Sequence, residues 1–389
     1  MAYIIIAFSV IDVDAVKNIR ELIGQKTTQM FEIDVDPKDA IITLNEKNYD
    51  PNESLSPGEY IIKVSKSGYF PYEEKIRIYS NEENHISIKL VPIVNIQTIR
   101  ENASYPFWDS KGDLYFYDSY NNYISKWEKN EISTISYLSG DVYQIEYISS
   151  IMTAIALVSV NPFEQNQLYA IDLKTGQNSL LPVQSWFFTK NQINTKLWGF
   201  NNDLIEALEK PIWSLSLGEK PKYYRIENAD RAVFGDVILV DPSEKWLTIE
   251  KGESLCIWEI STYKRIMCIE KATYPIWIHK SPDELLYTNK DGSLYLVNPT
   301  NWNSAPMNIH LSPPFVLTED NSQIIFWRYN PYEGGSSIWS LDLETGQLEL
   351  LYEAQFGLGK IEELAISYDK KRIAFVSQDN ILYAVILKP

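Results

Sequence analysis

The stretch LYAIDLKTGQ at residues 168–177 returns, with conservative changes, as IWSLDLETGQ at residues 338–347. The two copies start 170 residues apart, which equals four units of about 42.5 residues. Each copy begins with an apolar–aromatic pair, alternates apolar and polar residues, and ends in a turn, which is the pattern of a β-strand leading into a hairpin. The spacing predicts further copies between them.

The apolar–aromatic pair recurs in seven places, one of them degenerate. The second residue of the pair is Ser125, Tyr169, Trp213, Trp258, Tyr295, Trp339 or Tyr383. The steps between these positions are 44, 44, 45, 37, 44 and 44 residues. A repeat of about 40 to 45 residues with several short strands is typical of a β-propeller. We therefore predict a seven-bladed β-propeller over residues 93–389.

The ends of the repeat region predict how the ring closes. Six copies are followed by a further strand, whereas the seventh stops at Pro389. The segment IVNIQTIR, residues 93–100, precedes the first blade and has no partner there. We expect it to complete the last blade, because such pairing removes an exposed sheet edge.

Within the repeats, SPDELLYTNKDGSLYLVNP at residues 281–299 resembles the units of TolB-like and WD-type propellers, in which Ser-Pro-Asp-Gly forms the first turn. Glu284 stands in place of that glycine. The resemblance supports the repeat type and implies no particular activity.

Residues 31–92 follow a different pattern, with short strands of period two between Pro- and Gly-containing turns. We predict a small antiparallel β-sandwich. The signals DPKDA at residues 36–40 and LSPGEYIIKVSKSGY at residues 55–69 resemble the PEGA domain, over residues 31–91. That resemblance implies a protein located outside the cytoplasm of a bacterium, in its cell envelope.

Residues 1–30 contain an apolar segment and a predicted helix. The run MAYIIIAFSVI, residues 1–11, is too short for a membrane span, which needs about 20 residues. We interpret it either as the remnant of a membrane anchor or as an element packed on the body of the protein. Apolar residues at helical spacing predict a short helix after it, within residues 13–30. The predicted fold class is therefore all-β, with a PEGA-like sandwich, a propeller and one short N-terminal helix.

The composition indicates a folded, acidic protein. Aromatic residues make up 13% of the 389 residues, which favours β-structure. The formal net charge of −17 would repel a phosphate backbone, so nucleic acid is excluded as the expected partner. The acidity itself identifies no ligand.

The two cysteines, Cys256 and Cys268, flank one predicted hairpin. A cross-strand disulfide requires a register that places them opposite each other. We expect two reduced cysteines in the core instead.

The sequence predicts no catalytic, cofactor-binding or metal-binding residues. The histidines are His85, His279 and His310, which lie in different blades or modules, and no nucleophile-elbow motif is present. No metal-binding motif is present either. Five aspartates lie at predicted turns, where we expect them to cap backbone N–H groups: Asp118, Asp172, Asp241, Asp291 and Asp342.

Two aromatic groups are candidates for ligand contact. The loop PYEGGSS at residues 331–337, which contains Gly334 and Gly335, lies near Trp327, Tyr329 and Tyr332, although these aromatics are more simply explained as blade-to-blade core. The second group is Tyr115, Phe116, Tyr117, Tyr120 and Tyr123. Strand alternation sends every second one inward, so we expect the others to face solvent or a partner.

We therefore predict a non-enzymatic binding or scaffold protein of the cell envelope, which recognises a protein or a glycan through propeller loops and has a membrane tether at its N-terminus. One alternative is a polysaccharide-acting hydrolase or lyase with carboxylates in the propeller funnel, which needs two carboxylates about 5 to 10 Å apart. The other alternative is a cytoplasmic scaffold.

Overall fold

A computed structural model gives the structure of the chain for residues 31–51, 55–66, 69, 71–79, 84–90, 95–161, 166–191, 196–201, 210–224, 236–262, 264–280, 282–330, 335–353 and 359–387. The chain divides into two compact units, Met1–Ile93 and Val94–Pro389. The elements in the described ranges are β-strands and one short 3₁₀ helix, Ser149–Ile151. The apolar run and the helix predicted in residues 1–30 lie outside the described residues. In the described part of the chain, no helix has the length and hydropathy needed to cross a membrane.

The first unit consists of two small layers around one core. Its strands are β1 Phe31–Asp36, β2 Ile41–Leu44, β3 Lys47–Asn48, β4 Gly58–Ser65, β5 Tyr72–Ile78 and β6 Asn84–Lys89. β3, β2, β4 and β5 form an antiparallel sheet in that order, whereas β1 pairs in parallel with β6, so the prediction of an antiparallel sandwich is wrong for this pair. Alternation along β4 buries Ile62 and Val64, which pack against Phe31 and Val35 of the other layer.

In the second unit the described residues form seven four-stranded sheets, here called sheets 1 to 7 in chain order. Sheets 1 to 4 are β8 Ala103–Trp108, β9 Leu114–Asp118, β10 Tyr123–Glu128 and β11 Glu131–Tyr137; β12 Asp141–Ile148, β13 Thr153–Ser159, β14 Gln167–Asp172 and β15 Asn178–Gln184; β16 Phe188–Lys190, β17 Lys196–Phe200, β18 Ile212–Ser216 and β19 Lys222–Tyr224; β20 Val237–Val240, β21 Trp246–Lys251, β22 Ser254–Glu259 and β23 Lys264–Glu270. Sheets 5 to 7 are β24 Ala272–Ile278, β25 Glu284–Asn289, β26 Ser293–Asn298 and β27 Asn303–His310; β28 Ser312–Leu317, β29 Gln323–Asn330, β30 Gly335–Asp342 and β31 Leu348–Glu353; β32 Ile361–Ile366, β33 Arg372–Ser377 and β34 Ile381–Ile386, completed by β7 Asn95–Glu101.

Successive sheets are joined by hydrophobic clusters, one for each junction from sheet 1–2 to sheet 6–7 and one between sheets 7 and 1. The first strands of neighbouring sheets also contact each other, for example β32 with β8 and β16 with β20. The sheets therefore form a closed ring with their first strands at its centre.

This arrangement buries both faces of the second strand in each sheet, because every sheet lies between two others. In β9, Leu114 and Phe116 pack towards sheet 7, whereas Tyr115 and Tyr117 pack towards sheet 2. The expectation that alternate members of this aromatic group face solvent is therefore wrong for Tyr115, Phe116 and Tyr117. Single-face alternation holds for a sheet with one solvated side, which β9 does not have.

The ring closes as the sequence predicts. β7 pairs antiparallel with β34, and Thr98 lies opposite Tyr383. β7 then leads directly into β8 of sheet 1. Its Ile99 side chain packs in the cluster between sheets 7 and 1, with Trp108 and Leu382 among its neighbours. One strand from the start of the unit thus completes the last sheet.

The expectation of reduced cysteines is wrong. Cys256 in β22 lies directly opposite Cys268 in β23, and the two form a disulfide. The register of β22 and β23, which shifts between Ile257 and Trp258, places the two cysteines opposite each other, and their spacing alone did not reveal it.

Substituting Ile99 with Asp tests the closure, because it places a charge in the cluster between sheets 7 and 1. We expect a loss of about 3 kcal/mol in the free energy of unfolding. Thr98→Asp is the matched control, since Thr98 is exposed on the same strand, and its effect should stay within about 0.5 kcal/mol. Urea unfolding measures both; equal effects would contradict closure through β7.

The disulfide predicts that unfolded, unreduced protein takes up no iodoacetamide, whereas two adducts form after reduction. Because the bond closes a loop with a sequence separation of 12, a Cys256→Ala/Cys268→Ala variant should lose about 3 kcal/mol of unfolding free energy. Intact-mass measurement and urea unfolding check the two parts. Two adducts without reductant would show that the cysteines are free.

Candidate functional site

The two ends of the ring differ in the side chains that they present. We call the end where the first strands begin the entry face and the end where they finish the exit face. Because the strands of each sheet alternate in direction, the entry face also carries the connections between second and third strands.

Exposed aromatic side chains gather on the entry face. Tyr143 is the third residue of β12, Tyr274 is the third residue of β24, and Trp186 lies two residues before β16. Trp186 is 59% exposed and Tyr274 is 51% exposed, although both flank strands at the centre of the ring. Large aromatic groups left in solvent at such positions are unusual, since these side chains normally provide core or interface area.

Two more aromatics extend the set outward. Tyr120 is 79% exposed in the connection between β9 and β10, and Tyr329 is about half exposed near the end of β29. The entry-face aromatics are therefore Tyr120, Tyr143, Trp186, Tyr274 and Tyr329, contributed by sheets 1, 2, 5 and 6 and by the connection into sheet 3. Of the earlier candidates, Tyr120 and Tyr329 belong to this set, whereas Trp327 is buried and Tyr332 lies outside the described residues.

The backbone at two central tyrosines is locally strained. Tyr105 and Tyr274 have φ angles of 52° and 51°, in the left-handed region that bulky residues rarely adopt. Both lie where the strand register shifts. Both also belong to the same short motif, ASYPFW at residues 103–108 and ATYPIW at residues 272–277. We call each motif a tyrosine–proline elbow; the repetition was visible in the sequence, but its backbone conformation was not.

A carboxylate from the preceding sheet holds each elbow. The N–H of Tyr274 donates to Glu250 Oε2 of sheet 4 at 3.1 Å, and the N–H of Tyr105 donates to Glu363 Oε2 of sheet 7. Burial raises the pKa of both Glu250 and Glu363 to about 7. The same device thus occurs twice in the ring, and both times it orients a tyrosine near the centre.

Neighbouring contacts extend this support. The Tyr105 hydroxyl donates to the carbonyl of Val142, the residue before Tyr143, at 3.4 Å. The Tyr274 ring meets Phe315 of sheet 6 edge-on, with ring centroids 6.2 Å apart. Each elbow is therefore tied to the sheet before it and to the sheet after it.

The exit face is bridged across its centre. Ser149, in the 3₁₀ helix of sheet 2, donates to Glu319 Oε1 of sheet 6 at 2.7 Å. Sheets 2 and 6 are not neighbours in the ring, so this contact spans the middle.

The turn aspartates act largely as predicted. Asp172 Oδ1 accepts from the N–H of Lys174, and Asp118, Asp241 and Asp342 likewise accept backbone N–H groups. Asp291 differs, because its turn is capped by Asn289 instead. In the described ranges, no group of three or more potential metal ligands comes together.

The structure keeps the three histidines apart. His85 lies beside Glu32 in the first unit, and His310 Nε2 lies 3.3 Å from the Ser293 hydroxyl. His279 Nδ1 contacts Asp283 at 2.8 Å. Within the described residues, no serine hydroxyl is hydrogen-bonded to His279, so a Ser-His-Asp set is not assembled there.

The raised pKa of Glu250 predicts a pH dependence of stability. The folded chain retains a proton on this group that the unfolded chain releases above its ordinary pKa of 4.5, so stability falls as pH rises from about 4.5 to about 7. Glu250→Gln removes this titration. We therefore expect the unfolding free energy of the variant, minus that of the parent protein, to be larger at pH 8 than at pH 5. Urea unfolding at the two pH values measures this difference.

Glu253→Gln is the control for this prediction. Glu253 is exposed and its ion pair with Lys290 lowers its pKa, so it is ionised at both pH values. Its effect on stability should be the same at pH 5 and pH 8. If Glu250→Gln also changes the unfolding free energy by the same amount at both pH values, then folded Glu250 does not retain the proton assigned to it.

Comparisons with known proteins agree with this architecture. The family model described as PEGA domain matches residues 30–94. A comparison with curated proteins gives no match. Among solved structures, the β-propeller domain of Cps50 (Swd1) from Myceliophteria thermophila is 11% identical, with a TM-score of 0.55, and the alignment covers 76% of this chain and 100% of that chain.

Two further structures show the same fold. A chain of the mitotic checkpoint complex is 10% identical, with a TM-score of 0.54 and coverage of 76% of this chain and 94% of that chain. A streptogramin B lyase is 13% identical, with a TM-score of 0.52 and coverage of 76% and 98%. Because these neighbours include a lyase as well as a component of a protein complex, the fold alone does not separate catalysts from binding proteins. The chain therefore carries a segment that matches the PEGA domain, followed by a unit with a β-propeller fold.

Proposed function

We propose that this chain is a non-enzymatic binding protein that recognises a protein partner through the entry-face aromatics of its propeller. The observation that carries the proposal is the concentration of exposed Tyr and Trp side chains on one face. Tyr and Trp are enriched at the energetic centres of protein interfaces, where they bury large areas at a low entropic cost.

The spread of these residues favours a protein over a glycan. They come from several different sheets and so cover a broad surface, whereas small-molecule sites are concave pockets. The two elbows support the same interpretation, because pre-oriented side chains lose less conformational freedom on binding. We also infer that each four-stranded sheet is one blade, which makes a seven-bladed ring a rigid platform for this surface.

The proposed location is outside the cytoplasm, in the cell envelope. PEGA domains are typical of proteins in that location. The Cys256–Cys268 disulfide adds an independent argument, because such bonds persist in oxidising compartments and are rare in the cytosol. The PEGA match and the disulfide both disfavour the cytoplasmic scaffold.

The alternative of a polysaccharide-acting enzyme rests on acidic groups near the centre of the ring. Glu250 and Glu363 have the raised pKa values that a general acid would need. However, each is engaged by a tyrosine N–H, and they belong to sheets 4 and 7. We therefore assign both to the support of the elbows and not to catalysis.

Substitutions on the two faces test the proposal. The protein is immobilised and exposed to envelope extract, the captured protein is identified by mass spectrometry, and its affinity is measured after purification. A Tyr143→Ala/Trp186→Ala variant should bind it at least about ten-fold more weakly, because interface aromatics of this kind are worth roughly 2 kcal/mol or more.

Tyr368→Ala is the matched control. Tyr368 is 66% exposed on the turn after β32, which lies on the exit face. Its loss should leave the affinity within about two-fold. The proposed function would be contradicted if Tyr368→Ala weakened partner binding while Tyr143→Ala/Trp186→Ala had no effect. Consumption of an envelope glycan by the protein would contradict it as well.

A further inference from the structure

A cleft on the exit face lies between sheets 4 and 5, away from the entry-face aromatics. Its volume is about 550 Å³. Small-molecule sites generally have volumes of roughly 300–1,000 Å³. The turn between β20 and β21 contributes Ser243 and Lys245 to its walls, the start of β21 contributes Trp246, and the turn between β24 and β25 contributes His279. The cleft therefore has the size and the mixed lining of a ligand site.

Asp283 fixes the orientation of the His279 ring in this cleft. The buried Asp283 carboxylate accepts from His279 Nδ1 at 2.8 Å and from the backbone N–H groups of Ser243 at 3.0 Å and Lys280 at 3.2 Å. The His279 side chain itself is 52% exposed. When the ring is uncharged, this contact places its one proton on Nδ1, and Nε2 is then a hydrogen-bond acceptor. His279 Nε2 can therefore accept a hydrogen bond from a ligand hydroxyl.

The charges around the cleft leave one cation uncompensated. Lys280 pairs with Glu284 at 2.8 Å, and Asp283 is engaged by His279. Lys245 lies over the Trp246 ring, with its Nζ 4.7 Å from the centroid, and has no carboxylate partner in the described part of the chain. A ligand with a single negative charge would balance Lys245.

A second negative charge on the ligand would be opposed. Asp241 is fully buried, and it accepts from the hydroxyl of Ser243 and from the N–H of Trp246, two residues of the lining. Among the described residues, the lining contains no arginine, the residue best suited to hold a phosphate group by two parallel hydrogen bonds. A carboxylate therefore fits better than a phosphate dianion.

The lining also includes apolar and hydroxyl-bearing residues. Pro282 and Pro299 supply apolar surface, and Thr300 and Ser243 supply hydroxyl groups. A sugar ring has the matching character, with an apolar C–H face and hydroxyl groups at its edge. We propose that this cleft binds a sugar acid, with the carboxylate on Lys245 and a ring hydroxyl donating to His279 Nε2. This site is distinct from the protein-binding face and does not depend on it.

Calorimetric titration of the full chain tests the proposal with D-glucuronate as the probe. D-glucose, propionate and inorganic phosphate are the comparison ligands, since they lack the carboxylate, the ring and the single charge, respectively. We expect saturable binding of glucuronate and at least about ten-fold weaker binding of the other three. Lys245→Gln should weaken glucuronate binding about ten-fold, and His279→Ala should weaken it as well.

Lys174→Gln is the matched control, because Lys174 is an exposed lysine on a turn of sheet 2 and its loss changes the net charge equally. It should leave glucuronate binding unchanged, and circular dichroism should show that all variants are folded. The proposal would be overturned if glucuronate did not bind saturably, or if glucose or phosphate bound equally well. It would also be overturned if folded Lys245→Gln bound glucuronate as tightly as the parent protein.

Discussion

The pairing of β7 with β34 is the contact on which the rest of the propeller unit depends. Without it, sheet 7 would expose the edge of β34, and the cluster between sheets 7 and 1 would lose Ile99. Each sheet packs between two neighbouring sheets. The ring is therefore stable as a whole only when the junction between sheets 7 and 1 also forms. Closure by a strand from the start of the unit therefore links the two ends of a stretch of almost 300 residues.

Closure also bears on where we propose that a partner binds. Because each second strand is buried on both faces, the aromatic side chains buried there are used for packing, and we propose that recognition occurs at the two rims. On the entry face, the elbows direct Tyr105 and Tyr274 at the cost of strained backbone, which the Glu363 and Glu250 hydrogen bonds offset. On the exit face, the bridge from Ser149 to Glu319 spans the centre, and the cleft beside His279 lies between two neighbouring sheets. One scaffold thus presents two chemically different surfaces.

Much of the fold follows from the sequence because repeat spacing, period-two patterns and turn residues are local signals. The step of about 44 residues located the sheets, and the unpaired strand at residues 93–100 predicted their closure. The local rules failed where a neighbouring sheet decides the outcome. Tyr115 and Tyr117 are buried because sheet 2 covers them. The cysteines are a different case, because the register of two strands within sheet 4 places Cys256 opposite Cys268. The repeated Tyr-Pro pair of the two elbows was visible in the sequence. Their partners Glu250 and Glu363 lie on other sheets, and no local sequence pattern connects these glutamates to the elbows.

The most direct test of the entry-face account is hydrogen–deuterium exchange of the full chain, free and bound to its captured protein partner. We expect slower exchange on binding in peptides that contain residues 103–108, 141–145, 184–188 and 272–277, with no change in residues 366–372 on the exit face. Protection confined to the exit face or to the first unit would contradict it, because the partner would then bind without contacting the entry-face aromatics.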